Sequence, residues 1–397
     1  MKLLKSLPAR LVLGILIGIV SGLILPESAM RIVLTVKNII NELINFCVPL
    51  IVIGFIAPSI TRLGDGASKM LSLAIGIAYL SGLLASLLSC LAGFGIIPHL
   101  HIVSDPESLR ELPEIIFALE IPQIMPVMSA LVVSVLFGLG AVWVKATKII
   151  AMLQELQDII LEIVKRRIIP LLPIFIAVTF SSLTWQGTLT KQLPIFLIVI
   201  VIVLIGHYIW LAVLYASATV YSGHSGWDVL RNYWPAYITA IGTMSSAATL
   251  PVALECAHKS KSLRPDIVNF SIPLFANIHL CGSVLTEVFF VMTVSKVLYG
   301  HMPAVGDMIL FCFLLGIFAI GAPGVPGGTV MASLGLIISV LGFDADGTAL
   351  MLAVFALQDS FGTACNVTGD GALTLILTGY AEKHGMKEEK EPVGVSA

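Results

Sequence analysis

Charge is what this chain lacks. Of its 397 residues only 12% are Asp, Glu, Lys or Arg, against 57% hydrophobic. A soluble domain carries about 25% charged residues, so a water-exposed globular surface is excluded. Mean hydropathy is +1.01. No basic patch marks a nucleic-acid-binding face, and a net charge of −2 selects no partner. The apolar runs are long and do not alternate, which excludes the pattern of a membrane β-barrel. The six cysteines, Cys47, Cys90, Cys256, Cys281, Cys312 and Cys365, make no CxxC and no metal spacing. They read as small buried hydrophobes, so neither a disulfide framework nor a metal cofactor follows. No small-residue cleavage site follows the first apolar run, so Lys2, Lys5 and Arg10 precede a retained span rather than a signal peptide. The chain reads as an all-α integral membrane protein surrounded by membrane lipid.

Apolar stretches long enough to cross a bilayer lie at about 11–25, 38–60, 70–97, 121–144 and 193–215. Residues 149–183 form a longer segment, amphipathic at first and apolar after Pro170 and Pro173. A polar loop at 61–69 and an acidic, external-looking loop at 98–120 separate spans. With the N-terminus inside, cytoplasmic loops collect most of the basic residues, among them Arg62, Lys69, Lys145, Lys148 and Lys259. Arg31, Lys37, Arg110 and Lys191 fall outside. This bias places both termini in the cytoplasm of a bacterial-type plasma membrane.

The bias holds only if two later segments do not cross. At 233–258 the apolar arms flank GTMSSAATLP (Gly242 to Pro251) and are about ten residues each, half of what a crossing needs. At 307–343 the middle is GAPGVPGG, with four Gly and two Pro in eight residues. Both read as re-entrant hairpins, the first entered from the cytoplasm and the second from outside. A long span, 265–298, lies between them. Interrupted segments leave backbone N–H and C=O groups free at membrane depth, tolerable only where they face protein, ligand or a cavity. Such pairs point to a transporter's binding site.

The final apolar segment carries DSFGTACNVTGD, Asp359 to Asp370. On a helix, Asp359, Thr363, Asn366 and Asp370 fall within about 60° of one another. The two acids are about 16 Å apart along the axis, so each needs its own partner. Carboxylates at this depth mark a substrate or ion pathway.

The motifs SSAATLP (Ser245–Pro251), SIPLFANIHLCGS (Ser271–Ser283), GVPG (Gly324–Gly327) and NVTGD (Asn366–Asp370), in this order, resemble the dicarboxylate/amino acid:cation symporter family, the glutamate transporter homologues. The resemblance covers the chain in span order. It implies eight transmembrane helices and two opposed hairpins, an inverted-repeat elevator-type transporter assembled as a homotrimer. Residues 1–69 and 121–216 would be mainly scaffold, 70–98 and 217–382 mainly transport domain, and 383–397 a cytoplasmic tail. Asp359 would hold a substrate ammonium, and Asn366 its carboxylate. Thr363 would line the site, while backbone of Ser245–Ser246 and of Gly324, Val325 and Pro326 would close over it. Asp370, with Asn366 and the span-7 break at Phe275 and His279, matches the family's buried sodium site.

Three departures follow from the same comparison. Acidic-substrate members carry an arginine where this chain has Gly362 or, in some, Met244. Burying a second carboxylate without a cation is costly, so a small neutral amino acid is expected. The family's span-7 Asp is Cys281 here, a poor ligand for a hard cation. His279 and Glu287, eight residues apart, admit two readings: a proton relay, or hydrogen-bonded groups at a watery edge. The expected function is sodium-coupled symport through Asp370; proton-coupled transport of a neutral amino acid or small carboxylate, and a passive channel, are the alternatives. An enzyme is not expected, because no oriented acid joins Ser245 or Ser246 to His279.

Overall fold

A computed structural model describes residues 7–64, 69–100, 110–322 and 324–386. Residues 65–68 of the expected polar loop and 387–397 of the expected tail lie outside that range. The described residues form helices and no strand.

The helices are α1 (Leu7–Ile24), α2 (Glu27–Gly64), α3 (Lys69–Ile96), α4 (Val127–Trp143), α5 (Thr147–Ile163), α6 (Ile169–Gln186), α7 (Thr188–Ser222) and α8 (Gly226–Asn232). They continue with α9 (Trp234–Thr243), α10 (Ser246–His258), α11 (Pro265–Ile278), α12 (Cys281–Tyr299), α13 (Val305–Gly321), α14 (Gly328–Ser339) and α15 (Ala345–Lys383). Among the described residues, four stretches are long and apolar enough to cross a membrane: Lys69–His99, Ile195–Ser222, Pro265–Tyr299 and Asp346–Lys383.

Several boundaries differ from the sequence reading. The second helix starts at Glu27 rather than near 38 and runs through Pro49 and Pro58. An interior proline removes one backbone bond, and neighbouring helices hold the rest together. The fourth helix starts at Val127, not 121, because Pro122 and Pro126 keep the preceding residues non-helical. Those residues complete a strap, 110–126, laid along α2. Four α2 side chains on one stripe hold its backbone. Arg31 donates to the Glu114 carbonyl, while Thr35, Asn38 and Glu42 accept from the N–H groups of Ile116, Leu119 and Ile121. The segment after α5 joins α6 through one π-helical turn, Val164–Ile168.

Packing divides the helices. The first, second, fourth, fifth and sixth pack on one another, notably α1 on α6 and α2 on α4. The remainder gather around α12 and α15, including α7, which packs chiefly on α15. Lys37 of α2 bridges the two groups. Its ammonium lies 2.7 Å from Asp346 at the start of α15 and 3.2 Å from Ser182 of α6.

Candidate functional site

Two helix–turn–helix pairs frame the site. The first is α9 and α10. Met244 caps α9 in the left-handed region (φ 53°). Ser245 then caps α10 through its hydroxyl, which accepts from Ala248 N–H at 3.2 Å. Serine is a preferred N-cap because its oxygen satisfies an orphan donor of the first turn. The second pair is α13 and α14, whose connection ends at Gly327, the N-cap of α14, with φ 71°. A glycine there adopts the left-handed conformation without a Cβ penalty.

The tips touch. Ser245 Oγ donates to the Gly324 carbonyl at 2.6 Å, and Ala247 N–H reaches the same oxygen at 3.4 Å. A Cβ on Gly324 would lie 2.9 Å from the Ala276 carbonyl, so the approach requires glycine. Val325 and Pro326 beside it are half-buried, whereas Met244 and Ser246 are buried.

Asp359 sits under this junction. Its carboxylate is buried, and Oδ2 accepts the Gly327 N–H at 2.7 Å. The α14 N-terminus thus points its positive end at the acid. A carboxylate has about four acceptor positions, so Gly327 leaves capacity for a cationic donor. Gly362 follows one turn later. A Cβ there would meet Ser283 at 3.4 Å, ordinary contact. Thr363 is buried on the same stripe.

Asn366 is committed to the break in the span at 265–299. The backbone leaves the helix at His279 and Leu280 and resumes at Cys281. Asn366 Oδ1 accepts the freed N–H groups of Gly282 (2.7 Å) and Ser283 (3.1 Å), and its Nδ2 donates to Ser283 Oγ (2.9 Å). It caps α12, and its acceptor oxygen is already used by two donors.

Asp370 lies beyond the break and pairs with His279. The Nδ1 atom of His279 is 2.8 Å from Asp370 Oδ1, and Nε2 is 2.8 Å from Ser81 Oγ of α3. All three side chains are buried. Gly369 makes room for this arrangement: a Cβ there would lie 3.0 Å from the imidazole and 3.2 Å from the Cys281 sulfur. The Phe275 carbonyl accepts the His279 N–H at 2.9 Å, continuing the helix bond. Sodium is held by oxygens; here one oxygen of Asp370, Oδ1, faces the His279 ring nitrogen.

Glu287 has a different partner. The Ser333 hydroxyl of α14 donates to its Oε1, while Oε2 has no partner among the described residues. Thus His279 and Glu287 belong to separate hydrogen-bonded groups. Two further residues carry polar atoms here that motif reading passed over. His207 of α7 bonds the Gly282 carbonyl and Thr286 Oγ1 at 3.0 and 2.9 Å. Gln358, beside Asp359, is buried with neither amide atom partnered among the described residues. Its place next to Asp359 in an apolar run was the available signal.

Comparison with known proteins agrees over nearly the whole chain. The model of the Sodium:dicarboxylate symporter family matches residues 7–380. Excitatory amino acid transporter 3 of Mus musculus is 32% identical over 162 residues, 41% of this chain and 30% of that protein. Excitatory amino acid transporter 1 of Homo sapiens is 26% identical over 212 residues, 53% of this chain and 38% of that protein. An excitatory amino acid transporter of Caenorhabditis elegans is 28% identical over 153 residues, 38% and 30% respectively. The matched stretches therefore span less than two fifths of these relatives' length.

Proposed function

Because the chain belongs to the sodium:dicarboxylate symporter family, a family of multi-pass membrane transporters, we propose that it is a secondary active transporter of a small neutral amino acid. The observation that carries this reading is Asp359, a buried carboxylate beneath two touching hairpin tips. An ammonium would bind there. The substrate carboxylate would meet the N-termini of α10 and α14, which favour anions. With Gly362 and Met244 where acidic-substrate relatives carry arginine, neither position offers a cation to a second carboxylate.

The proposed architecture has eight spans and two re-entrant hairpins, α9–α10 and α13–α14, in a homotrimer of the plasma membrane with both termini cytoplasmic. The division in packing supports a scaffold of α1, α2, α4, α5 and α6. The rest would move as a unit, with α7 joining the moving part.

The driving ion has two readings. Sodium at Asp370 follows from the family. A proton is favoured by one observation, the His279 ring on Asp370, which supplies a nitrogen where a sodium ion would need oxygen. Uptake into proteoliposomes under an imposed sodium or pH gradient separates them. Accumulation that follows the sodium gradient alone removes the proton reading; sodium-independent uptake that follows ΔpH removes the sodium reading. Downhill equilibration under both gradients means a channel, and overturns the proposal of active transport.

A further inference from the structure

The first turn of α12 is held from two sides. Gly282 gives its N–H to Asn366 Oδ1 of α15 at 2.7 Å, and its carbonyl lies 3.0 Å from Nε2 of His207 on α7. The backbones come close on both sides. A Cβ on Gly282 would lie 2.5 Å from the Gly362 carbonyl, and one on Gly206 would meet Leu285 at 3.3 Å. His207 is buried near the middle of the apolar stretch Ile195–Ser222. A titratable ring at that depth is expensive and usually serves the function of the protein.

The partners of the ring place its proton. A carbonyl oxygen only accepts, so Nε2 carries a hydrogen toward Gly282. The Thr286 hydroxyl donates to the same carbonyl at 2.9 Å. Its oxygen is left to accept from Nε2, also at 2.9 Å. One N–H is thus shared between two acceptors, a three-centre bond of the kind common at helix ends. Asn366 completes the clamp. Its Oδ1 takes the N–H groups of Gly282 and Ser283, and Nδ2 donates to Ser283 Oγ. The first turn of α12 therefore sets the plane of the Asn366 amide. That plane also sets the direction of the second hydrogen on Nδ2.

We propose that His207 is a positioning residue of the substrate site. It fixes the first turn of α12 against α7, and through Gly282 and Ser283 it aims the second Nδ2 hydrogen of Asn366 at a substrate carboxylate. This rests on the reading of Asn366 as a carboxylate ligand in the proposed transporter. What can replace the ring follows from the geometry. The position needs a donor, and a glutamine amide nitrogen can reach the place of Nε2. Methionine fills similar volume with no donor. Loss of the bond loosens a ligand of the bound substrate, so it acts on affinity before turnover.

The test compares His207→Ala, which removes the ring, with His207→Met, which returns the bulk, and His207→Gln, which returns the donor. Proteoliposomes holding the full chain are given tritiated alanine, serine, threonine, valine and proline, and the amino acid that the parent takes up fastest is carried through the variants. His207→Ala and His207→Met should raise its KM about tenfold with Vmax within about twofold, and His207→Gln should recover most of the loss. Hydrogen exchange reads the clamp with no substrate present. Residues 279–287 should exchange about tenfold faster in His207→Met and near the parent rate in His207→Gln, with both hairpins unchanged. The Met and Gln pair keeps the comparison valid should His207→Ala unfold. If the parent takes up none of the panel, the reading of the substrate fails and exchange alone decides the clamp. Parent-like KM and exchange in His207→Met, a loss of Vmax at unchanged KM, or recovery by methionine as full as by glutamine would each overturn the proposal.

Discussion

The Nδ1 atom of His279 lies 2.8 Å from Oδ1 of Asp370, and both side chains are buried. The contact joins the break in one helix to the middle of another. It also sets the first prediction, because it puts a ring where the family reading puts a cation.

If the imidazole stands in for sodium, His279→Asn should restore an oxygen ligand and make uptake more sodium-dependent and less pH-dependent. If sodium binds beside the imidazole, Asp370→Asn should abolish sodium activation. Initial uptake rates across a sodium series at two pH values check both. Sodium activation unchanged in Asp370→Asn would remove that acid as the ligand.

Gly362→Arg should turn the site toward an acidic substrate. The added Cβ meets Ser283 only at 3.4 Å, so the side chain can start without a clash. A new charge pair of about 1.4 kcal/mol corresponds to about tenfold in affinity. Aspartate should therefore raise the melting temperature of the variant but not of the parent chain. A folded variant that gains no aspartate shift would take residue 362 out of the pocket.

The Lys37–Asp346 pair should respond unequally to its two deletions. The lysine side chain is 10% exposed and the aspartate 50%. Asp346→Asn strands a buried ammonium and should cost about 2 kcal/mol, whereas Lys37→Met leaves a carboxylate that water can reach and should cost about 1 kcal/mol or less. Thermal unfolding in detergent measures the difference; equal losses would mean the pair contributes only packing.

Asp228, in the short helix between α7 and α9, gives a pH prediction. Burial alone would raise its pKa. The Ser260 hydroxyl, the N–H groups of Ser262 and Lys261, and the Arg231 guanidinium outweigh that and hold it below the ordinary carboxylate value. A depressed acid stabilises the fold above its unfolded pKa, and this contribution is lost as pH falls through the folded value. Asp228→Asn should therefore lower the melting temperature near neutral pH and flatten its decline in acid. A variant that keeps the parent's acid slope would show that other carboxylates control it.

The break between α9 and α10 was legible because length is a local property. Arms of about ten residues around GTMSSAATLP cannot cross a bilayer, and α9 and α10 have 10 and 13 residues. The stripe from Asp359 to Asp370 was legible from helical periodicity, and α15 runs unbroken through it. The strap at 110–126 was not. Its hydrogen bonds join residues about 80 apart in sequence, and nothing local in an extended Pro-rich segment names α2 as its support.

Partners were the other gap. The sequence set out both acids, the asparagine, the histidine and the glycines, and it fixed which stretches are too apolar for water and where helices must break. Only the tertiary structure decided that Asn366 caps the broken helix, that Glu287 meets Ser333, and that His279 reaches both Asp370 and Ser81. Hydrophobicity and helix breaking act within a few residues of chain, whereas a hydrogen bond requires two atoms within about 3 Å, and the helices that bring Ser81, His279 and Asp370 together are 91 to 198 residues apart in the chain.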